Sequence, residues 1–180
     1  PIHFFWGLAG QNRKEIAQCV EKKEEWYYID VGYITHPITR YPIPSIDEED
    51  KTYFRIVKGG LHTIRGRVGD GSRLRKLVNQ GIDAEFKGWY TGDTKHILIC
   101  PSSPTVTQQL NNMTQEEWVA GVKSELTQHT KRDIIVRNKP RPGNEWWGTD
   151  IREQLKDCHC LVTNMSIASV DAILNRVPVI

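Results

Sequence analysis

The final stretch of the chain, residues 157–180, constrains the fold more than any other part of the sequence. Residues 160–163 form a short apolar, β-branched run that is typical of a strand buried on both faces. After a polar break at Ser166, apolar residues recur at helical spacing, at Ile167, Val170, Ile173 and Leu174. Residues 177–180 then begin another strand. The order of strand, turn, helix and strand predicts a βαβ unit of a parallel sheet.

The turn that opens this helix carries side chains suited to an anion. Ser166 and Ser169 supply hydroxyl donors, and the first helical turn leaves backbone N–H groups without partners inside the helix. Open parallel sheets bind their ligands at the carboxyl ends of the strands. The sequence therefore predicts a phosphate site at this turn, while an ordinary βαβ unit with a well-capped helix is the alternative.

The same stretch resembles the end of the second domain of sugar-nucleotide-dependent glycosyltransferases of the GT-B architecture, especially capsule-polysaccharide transferases and phage glycosyltransferases. The matching residues are Val162, Thr163, Asn164, Ser166, Asp171, Ala172, Pro178, Val179 and Ile180. Asp171 replaces the commoner Glu of that family, and Asn175 or Arg176 replaces its Gly. The resemblance implies that Asp171 contacts a ribose.

Composition sets broad limits on the chain. Its 180 residues, 38% hydrophobic and 26% charged, suit one sizeable core or two small α/β lobes. No apolar run approaches the roughly 20 residues that span a bilayer, so we expect no membrane span. The apolar contexts of the cysteines predict a cytoplasmic location, in the host cytoplasm if the chain is phage-encoded. The chain stops inside an apparent strand where the resembling proteins continue, which predicts a fragment with an incomplete C-terminal lobe.

The four cysteines lie in apolar contexts, at Cys19, Cys100, Cys158 and Cys160. This placement predicts reduced, buried thiols rather than a disulfide framework. Simple strand alternation would put Cys158 and Cys160 on one face and His159 on the other. No second ligand pair lies nearby, so no zinc site is expected at this triplet.

The first half predicts strands at 2–6 and 26–29 around a helix at 12–23, with Asn12 as its possible N-cap. Asp30 follows the second strand directly and is a candidate general base, with His36 as the competing candidate. The ordinary alternatives are a turn-capping Asp and a solvated surface His.

Positive charge accumulates farther along this half, between residues 55 and 76, although the whole chain carries a formal charge of only +2. The candidate acceptor-binding residues are Arg55, Lys58, His62, Arg73 and Arg75. Interspersed glycines allow close backbone approach to an anion, and Ser72 is a possible helix cap. This pattern predicts a surface for DNA or an anionic polysaccharide, with a solvated basic loop as the alternative.

The second half repeats a strand-helix order after a glycine-containing stretch at 86–95, which places the lobes at 1–92 and 93–180. Strands are predicted at 97–100, 134–137 and 160–163. A polar loop is predicted at 101–112, a capping box at Thr114 and Glu117 opens a helix to His129, and Asp150 caps a short helix. A parallel sheet with this order gathers polar residues at its carboxyl edge: Ser102, Ser103, Arg137, Lys139, Asn164 and Ser166.

These features together predict an α/β protein with two Rossmann-like, parallel-sheet lobes, and the resemblance implies that the lobes are of the GT-B type. The resemblance extends over most of the second half, where Lys139-Pro140 occupies the place of the family's His-Pro, and it implies a metal-independent transfer from a nucleotide-sugar to a hydroxyl, with no cofactor. Asp30 would act as base. A nucleic-acid-binding module and a nucleotide-sugar epimerase-like protein remain the alternatives.

Overall fold

The computed structural model of the chain describes residues 1–8, 10–32, 54–61, 69–81 and 84–180. These residues form an α/β fold with two compact units, each built on a three-stranded sheet that contains parallel strands. The described residues up to 81 belong to the first unit, and residues 84–180 belong to the second. The lobe boundary at 92/93 stays a prediction, although residues 84–92 group with the second unit.

The first sheet consists of β1 (Ile2–Trp6), β2 (Glu25–Val31) and β3 (Phe54–Lys58), in that order. β1 and β2 are parallel and are connected through α1 (Asn12–Glu21), which confirms the predicted strand-helix-strand order. β3 runs antiparallel to β2. The first sheet is therefore mixed rather than wholly parallel.

The start of α1 differs from the prediction. Gln11 occupies the N-cap position, and the Asn12 side chain instead donates hydrogen bonds to the carbonyls of Trp6, at 2.8 Å, and Gly7, at 3.0 Å. Asn12 lies inside the helix, so its amide can reach back across the connecting loop. It joins the end of β1 to the beginning of α1 instead of capping the helix.

One face of the first sheet packs against α1 through a buried cluster of Phe5, Ile16, Cys19, Trp26 and Tyr28. The opposite face carries exposed apolar residues on β1 and β3, namely Ile2, Phe4, Trp6, Phe54 and Ile56. Aromatic pairs cross the strands on that face, including Trp6 and Phe54 with ring centroids 5.0 Å apart. The contact between Trp6 and Phe54 spans β2, which lies between β1 and β3, so aromatic packing links the two outer strands of the sheet.

A short helix, α2 (Ser72–Asn79), completes the described part of the first unit. The predicted Ser72 cap is wrong, because Gly71 holds the N-cap position in the left-handed conformation and makes no side-chain cap. The Asp70 carboxylate accepts a hydrogen bond from the Ser72 backbone N–H at 2.9 Å instead. Hydrogen bonds from Ser72 lower the pKa of Asp70, which keeps a negative charge at the start of α2.

The second sheet consists of β4 (His96–Ile99), β5 (Asp133–Val136) and β6 (Cys158–Val162), with β4 in the middle. All of these pairs are parallel, as predicted. Beyond β6, Val179 forms a parallel bridge with Leu161, so the chain end extends the sheet on that side. The chain thus leaves β4 toward β5 on one side and continues from β6 on the other.

Helices cover both faces of the second sheet. They are α3 (Pro104–Asn111), α4 (Gln115–His129), α5 (Ile151–Leu155) and α6 (Ala168–Leu174). Ile97, Ile99, Cys160 and Val162 pack against apolar side chains of α4. The opposite cluster joins β4 and β6 to α5 and α6 through Leu98, Leu155, Leu161 and Ala172. This layering accounts for the continuous apolar runs of the strands.

Two predicted helix starts are confirmed. Thr114 and Glu117 form a reciprocal capping box, with the Glu117 N–H donating to Thr114 Oγ1 at 3.1 Å and the Thr114 N–H donating to Glu117 Oε2 at 2.7 Å. Asp150 accepts a hydrogen bond from the Arg152 N–H at 2.9 Å and so caps α5. The polar loop predicted at 101–112 is wrong, because α3 forms there. Pro104 suits its first turn, where the missing N–H costs nothing.

The cysteine prediction is confirmed in part. All four thiols are free and buried, but Cys158 and Cys160 lie in different clusters, on opposite faces of the sheet. A register shift in the pairing of β4 with β6, between His96 and Ile97, interrupts the simple alternation. Within the described residues, no helix combines the length and apolar character that crossing a membrane requires.

Candidate functional site

The carboxyl ends of β4 and β6 form the most favourable position for a ligand in the second unit. The connections from these neighbouring strands run to opposite sides of the sheet, which creates the type of crevice where open α/β sheets bind ligands. Ser102 and Ser103 follow β4, and Asn164 and Ser166 follow β6. The topology therefore brings together these four residues, which the sequence predicts at one site.

Ser102 lies at this edge of the sheet, separated from the end of β4 by Cys100 and Pro101, and it is held by several hydrogen bonds. Its backbone N–H donates to Asn164 Oδ1 at 2.9 Å, and its carbonyl accepts hydrogen bonds from Thr107 Oγ1, at 3.4 Å, and from Gln115 Nε2. The residue is only 5% exposed, and its Oγ has no hydrogen-bond partner among the described residues. A buried hydroxyl without a partner is uncommon, because it loses hydration without compensation.

A second set of hydrogen bonds fixes the β6 side of the crevice. Thr163 Oγ1 donates to the Cys100 carbonyl at 2.6 Å, and Asn164 Nδ2 donates to Thr107 Oγ1 at 3.3 Å. Thr107 is fully buried. These bonds hold the two strand ends together, so the position of Ser102 is determined by side chains from both β6 and α3.

The predicted anion site at the start of α6 differs from the observed geometry. The helix begins at Ala168 rather than at Ser166. The Ser166 N–H donates to Thr163 Oγ1 at 3.0 Å, the Ala168 N–H to Ser166 Oγ at 3.3 Å, and the Ser169 N–H to the Ser166 carbonyl at 3.1 Å. The backbone groups expected to face a phosphate are therefore engaged within the turn.

The start of α3 offers a better anion position at the same edge. α3 follows β4 after a short turn, and its N-cap residue, Ser103, makes no side-chain capping bond. The first-turn N–H groups of a helix lack partners inside the helix and carry partial positive charge. Ser102 and Ser103 therefore place a buried hydroxyl, a second hydroxyl and a helix terminus next to one another.

Arg137 serves a different purpose from the other predicted donors. It is 4% exposed, and its guanidinium donates to Thr149 Oγ1 at 2.7 Å, Gln154 Oε1 at 2.8 Å and the Thr149 carbonyl at 2.8 Å. Trp146 lies against it, 5.1 Å from ring centroid to guanidinium carbon. These contacts attach the segment before α5 to the end of β5. Phosphate contact by Arg137 stays a prediction.

Electrostatic effects near Arg137 follow from its burial. Burial lowers the pKa of the Arg137 guanidinium, while the Cys100 thiol and the carboxylates of Asp150 and Asp171 act in the opposite direction. Asp171 lies half-buried on α6, and its charge favours the protonated guanidinium. Lys139, in contrast, is exposed on the segment after β5. Ribose contact by Asp171 and phosphate contact by Lys139 remain predictions.

The candidate base of the first unit lies in an ion pair. Asp30 is part of β2, where its Oδ2 accepts a hydrogen bond from the Tyr28 hydroxyl at 2.9 Å and faces Arg55 Nη2 at 3.3 Å. Arg55 also donates to the Leu61 carbonyl at 2.6 Å. Asp30 is thus held in a fixed position. Its role as a base stays a prediction, and His36 lies outside the described residues.

The candidate acceptor residues do not all share one surface. Alternation along β3 places Arg55 and Lys58 on opposite faces of the strand, and Lys58 pairs with Glu25 at 2.9 Å. Arg73 and Arg75 are exposed on α2, while His62 lies outside the described residues. Among the described members of this set, Arg73, Arg75 and Lys58 are exposed, whereas Arg55 is partly buried.

No family model matches the chain, and no curated protein matches its sequence. Thr107 and Gln115, whose side chains donate hydrogen bonds to the Ser102 carbonyl, were not predicted from the sequence. The start of α3 could have been predicted from Ser103-Pro104, because Ser at the N-cap and Pro at the first helical position are typical of a helix start. The loop predicted at 101–112 covers this helix start.

Proposed function

We propose that this chain is a sugar-nucleotide-dependent glycosyltransferase of the GT-B type whose second unit binds the donor's phosphates beside Ser102. The observation that carries the proposal is the buried Ser102 hydroxyl, which has no partner among the described residues and lies at the crevice between β4 and β6. A phosphate oxygen would accept the hydrogen bond that this hydroxyl lacks. The resemblance of residues 162–180 to GT-B enzymes supports a nucleotide-sugar as the ligand.

The leaving group of the nucleotide-sugar determines the chemistry required at this edge of the sheet. Breaking the glycosidic bond to a nucleoside diphosphate leaves negative charge on the phosphates, and preorganised donors stabilise that charge in the transition state. Uncharged hydrogen-bond donors come from Ser102, Ser103 and the first turn of α3, and Lys139 adds a positive charge. Arg137 acts as a positioning residue, because its donors hold the segment before α5. This set requires no metal.

The acceptor side belongs to the first unit in this proposal. Asp30 accepts the proton of the attacking hydroxyl, and Arg55, which pairs with it at 3.3 Å, holds the carboxylate in place. Exposed Arg73 and Arg75 bind an anionic acceptor, either modified DNA or a polysaccharide. The charge on these arginines supports an acidic substrate class.

The substitution Ser102→Ala tests the nucleotide-sugar site, because it should lower the affinity for the ligand while leaving the stability of the free protein equal or higher. The variant should bind a nucleotide-sugar about tenfold or more weakly, since a hydrogen bond to a charged group contributes about 1.5–3 kcal/mol. The free protein should be as stable as the wild type or more stable by up to about 1 kcal/mol, because a buried unpaired hydroxyl is removed. Calorimetric titration with UDP-glucose and GDP-mannose, together with thermal unfolding, measures both effects.

Two serines serve as controls for this substitution. Ser124→Ala changes an exposed residue of α4 and should leave both quantities unaltered. Ser166→Ala removes the acceptor of the Ala168 N–H and should lower stability by about 1 kcal/mol. Donor binding should also persist in EDTA. Equal donor affinity for Ser102→Ala and the wild type, or no binding of any nucleotide-sugar by the wild type, would reject the site.

The acceptor proposal predicts a salt-dependent interaction with polyanions. Duplex DNA affinity should fall steeply as salt rises, and Arg73→Ala or Arg75→Ala should each reduce the slope of log K against log salt by about 0.9. Fluorescence anisotropy over a salt series measures this slope, and Arg13→Ala, an exposed arginine of α1, is the matched control.

The same titrations separate the rival functions. Tight DNA binding without any turnover of a nucleotide-sugar would favour a nucleic-acid-binding module. Conversion of the nucleotide-sugar in the absence of an acceptor would favour an epimerase-like protein. If Arg13→Ala reduced the slope of log K against log salt as much as Arg73→Ala or Arg75→Ala, the α2 arginines would form no specific surface.

A further inference from the structure

Three potential metal ligands converge in the first unit, away from the candidate base Asp30. They are His3 of β1, Cys19 of α1 and Glu24 of the turn before β2, and their ligand atoms all lie within 4.8 Å of one another. His3 Nε2 lies 2.9 Å from Glu24 Oε2. The thiol is buried, with Cys19 3% exposed, whereas the other two side chains are partly exposed. Solvent therefore reaches the cluster through the partly exposed His3 and Glu24 side chains.

The end of α1 explains why a thiol and a carboxylate lie side by side. The Glu24 N–H donates to the Cys19 carbonyl at 2.9 Å, and the Lys23 N–H donates to the Val20 carbonyl at 3.2 Å. With Lys23 in the left-handed conformation, at φ 55°, these bonds form a Schellman motif. Such a motif brings the side chains at the Cys19 and Glu24 positions together, usually as an apolar contact. Here the pair consists of a thiol and a carboxylate.

The opposing strand completes the set. His3 and Phe5 lie on the face of β1 that packs against α1, and their rings are nearly parallel, 5° apart in plane with centroids separated by 6.2 Å. This stacking holds the imidazole beside Glu24. Three ligand types that zinc prefers are thus fixed by three separate elements of the unit: a strand, a helix and a turn.

We propose that His3, Cys19 and Glu24 bind a divalent metal ion, with zinc as the preferred ion. Ligand atoms about 2.0–2.3 Å from a tetrahedral zinc lie roughly 3.5 Å apart, so small side-chain rotations suffice to close the cluster around an ion. One thiolate, one imidazole and one carboxylate match zinc better than magnesium or calcium, which take oxygen ligands. The fourth position is open to solvent or to another ligand.

The location gives the ion a structural role. His3 lies near the beginning of β1, and Cys19 and Glu24 lie at the end of α1 and before β2, so the site is at the amino edge of the parallel pair. Asp30 lies near the other end of β2. The ion connects the helix to both strands and stabilises the first unit, because it binds the folded arrangement of ligands and not the unfolded chain.

Binding has a defined proton balance. The Cys19 thiol loses its proton to the buffer as the sulfur–metal bond forms, and the neutral His3 ring binds through Nε2 with its proton on Nδ1. The ion takes the place of the hydrogen bond that His3 and Glu24 share. Calorimetry in buffers of different ionisation enthalpy should therefore show that protons are released as the ion binds.

The test uses the whole chain with zinc or cobalt alone. Cobalt should bind one ion per chain and produce a thiolate-to-metal charge-transfer absorption, and zinc should displace it and raise the melting temperature. Cys19→Ala should abolish the absorption and weaken zinc binding about 100-fold or more, since even outer-shell partners affect affinity 10- to 100-fold. Glu24→Gln, an isosteric change at a partly exposed position, should weaken binding without loss of the fold.

Two control variants make the test specific. Cys160→Ala removes another buried thiol, and His129→Gln removes the imidazole of an exposed His–Glu pair, His129 with Glu125 at 3.1 Å. Neither should alter metal binding. The proposal is overturned by absence of the charge-transfer band in the wild type, by its survival in Cys19→Ala, or by unchanged zinc affinity in Glu24→Gln. UDP-glucose affinity should not depend on zinc, so failure here leaves the donor-site test intact.

Discussion

Replacing Arg137 with alanine is expected to lower the free energy of unfolding by about 3–5 kcal/mol, because the change leaves buried partners without a donor. The guanidinium makes three hydrogen bonds, two to Thr149 and one to Gln154, and contacts the ring of Trp146. Water cannot readily replace it, since the side chain is almost completely buried. Urea or thermal unfolding followed by circular dichroism measures the loss.

Charge and shape can be separated with further variants. Arg137→Lys keeps the positive charge but loses the planar arrangement of donors, so it should recover less than half of the lost stability. Arg141→Ala removes an exposed arginine from the same connecting segment and should change stability by less than about 0.5 kcal/mol. A loss of under 1 kcal/mol in Arg137→Ala would contradict the structural role assigned to this residue.

The second large effect is expected at alkaline pH. Burial raises the pKa of the Cys100 thiol from 9.0 to about 12 and that of the Cys158 thiol to about 11. Above pH 9 the unfolded chain loses these protons while the folded chain retains them, so stability must fall as pH rises. Each thiol should lower the free energy of unfolding by about 1.4 kcal/mol per pH unit, or about 2–3 kcal/mol by pH 11.

Tyrosines and lysines titrate in the same range, so the measurement is a comparison of slopes. Cys100→Ala should reduce the dependence of unfolding free energy on pH by about 1.4 kcal/mol per unit between about pH 9.5 and 11. The small cavity that it creates lowers stability at every pH and leaves the slope unaffected. Identical slopes for Cys100→Ala and wild type would contradict the raised pKa of this thiol.

Much of the local structure follows from the sequence. The capping box at Thr114 and Glu117, the Asp150 cap and the apolar strand runs specify their elements through near neighbours alone, and the structure confirms them. The parallel arrangement of the second sheet is also predictable, since strands alternate with helices. The α3 helix was not predicted because its polar composition, PTVTQQLN, resembles that of a loop. The burial of Thr107 is a tertiary effect.

The site itself depended on contacts between residues distant in sequence. The serines after β4 and the Asn after β6 were predictable as members of one edge, because parallel strands end on the same side. The sequence did not predict which backbone N–H groups and hydroxyls at this edge form hydrogen bonds within the protein. Ser166 satisfies the start of its own helix, whereas Ser102 is held by Asn164, 62 residues away, with its hydroxyl left unpaired among the described residues.

The sequence by itself determined most of the described strands and helices, though not α3, because caps and periodicity act within a few residues. Only the tertiary structure decided the environment of each polar group: Arg137 became buried, Asp30 became paired with Arg55, and His3 met Cys19 and Glu24. The physical reason is that hydrogen bonding and desolvation depend on neighbours supplied by other elements of the fold. The separation of two residues along the chain does not determine the distance between them in the folded protein.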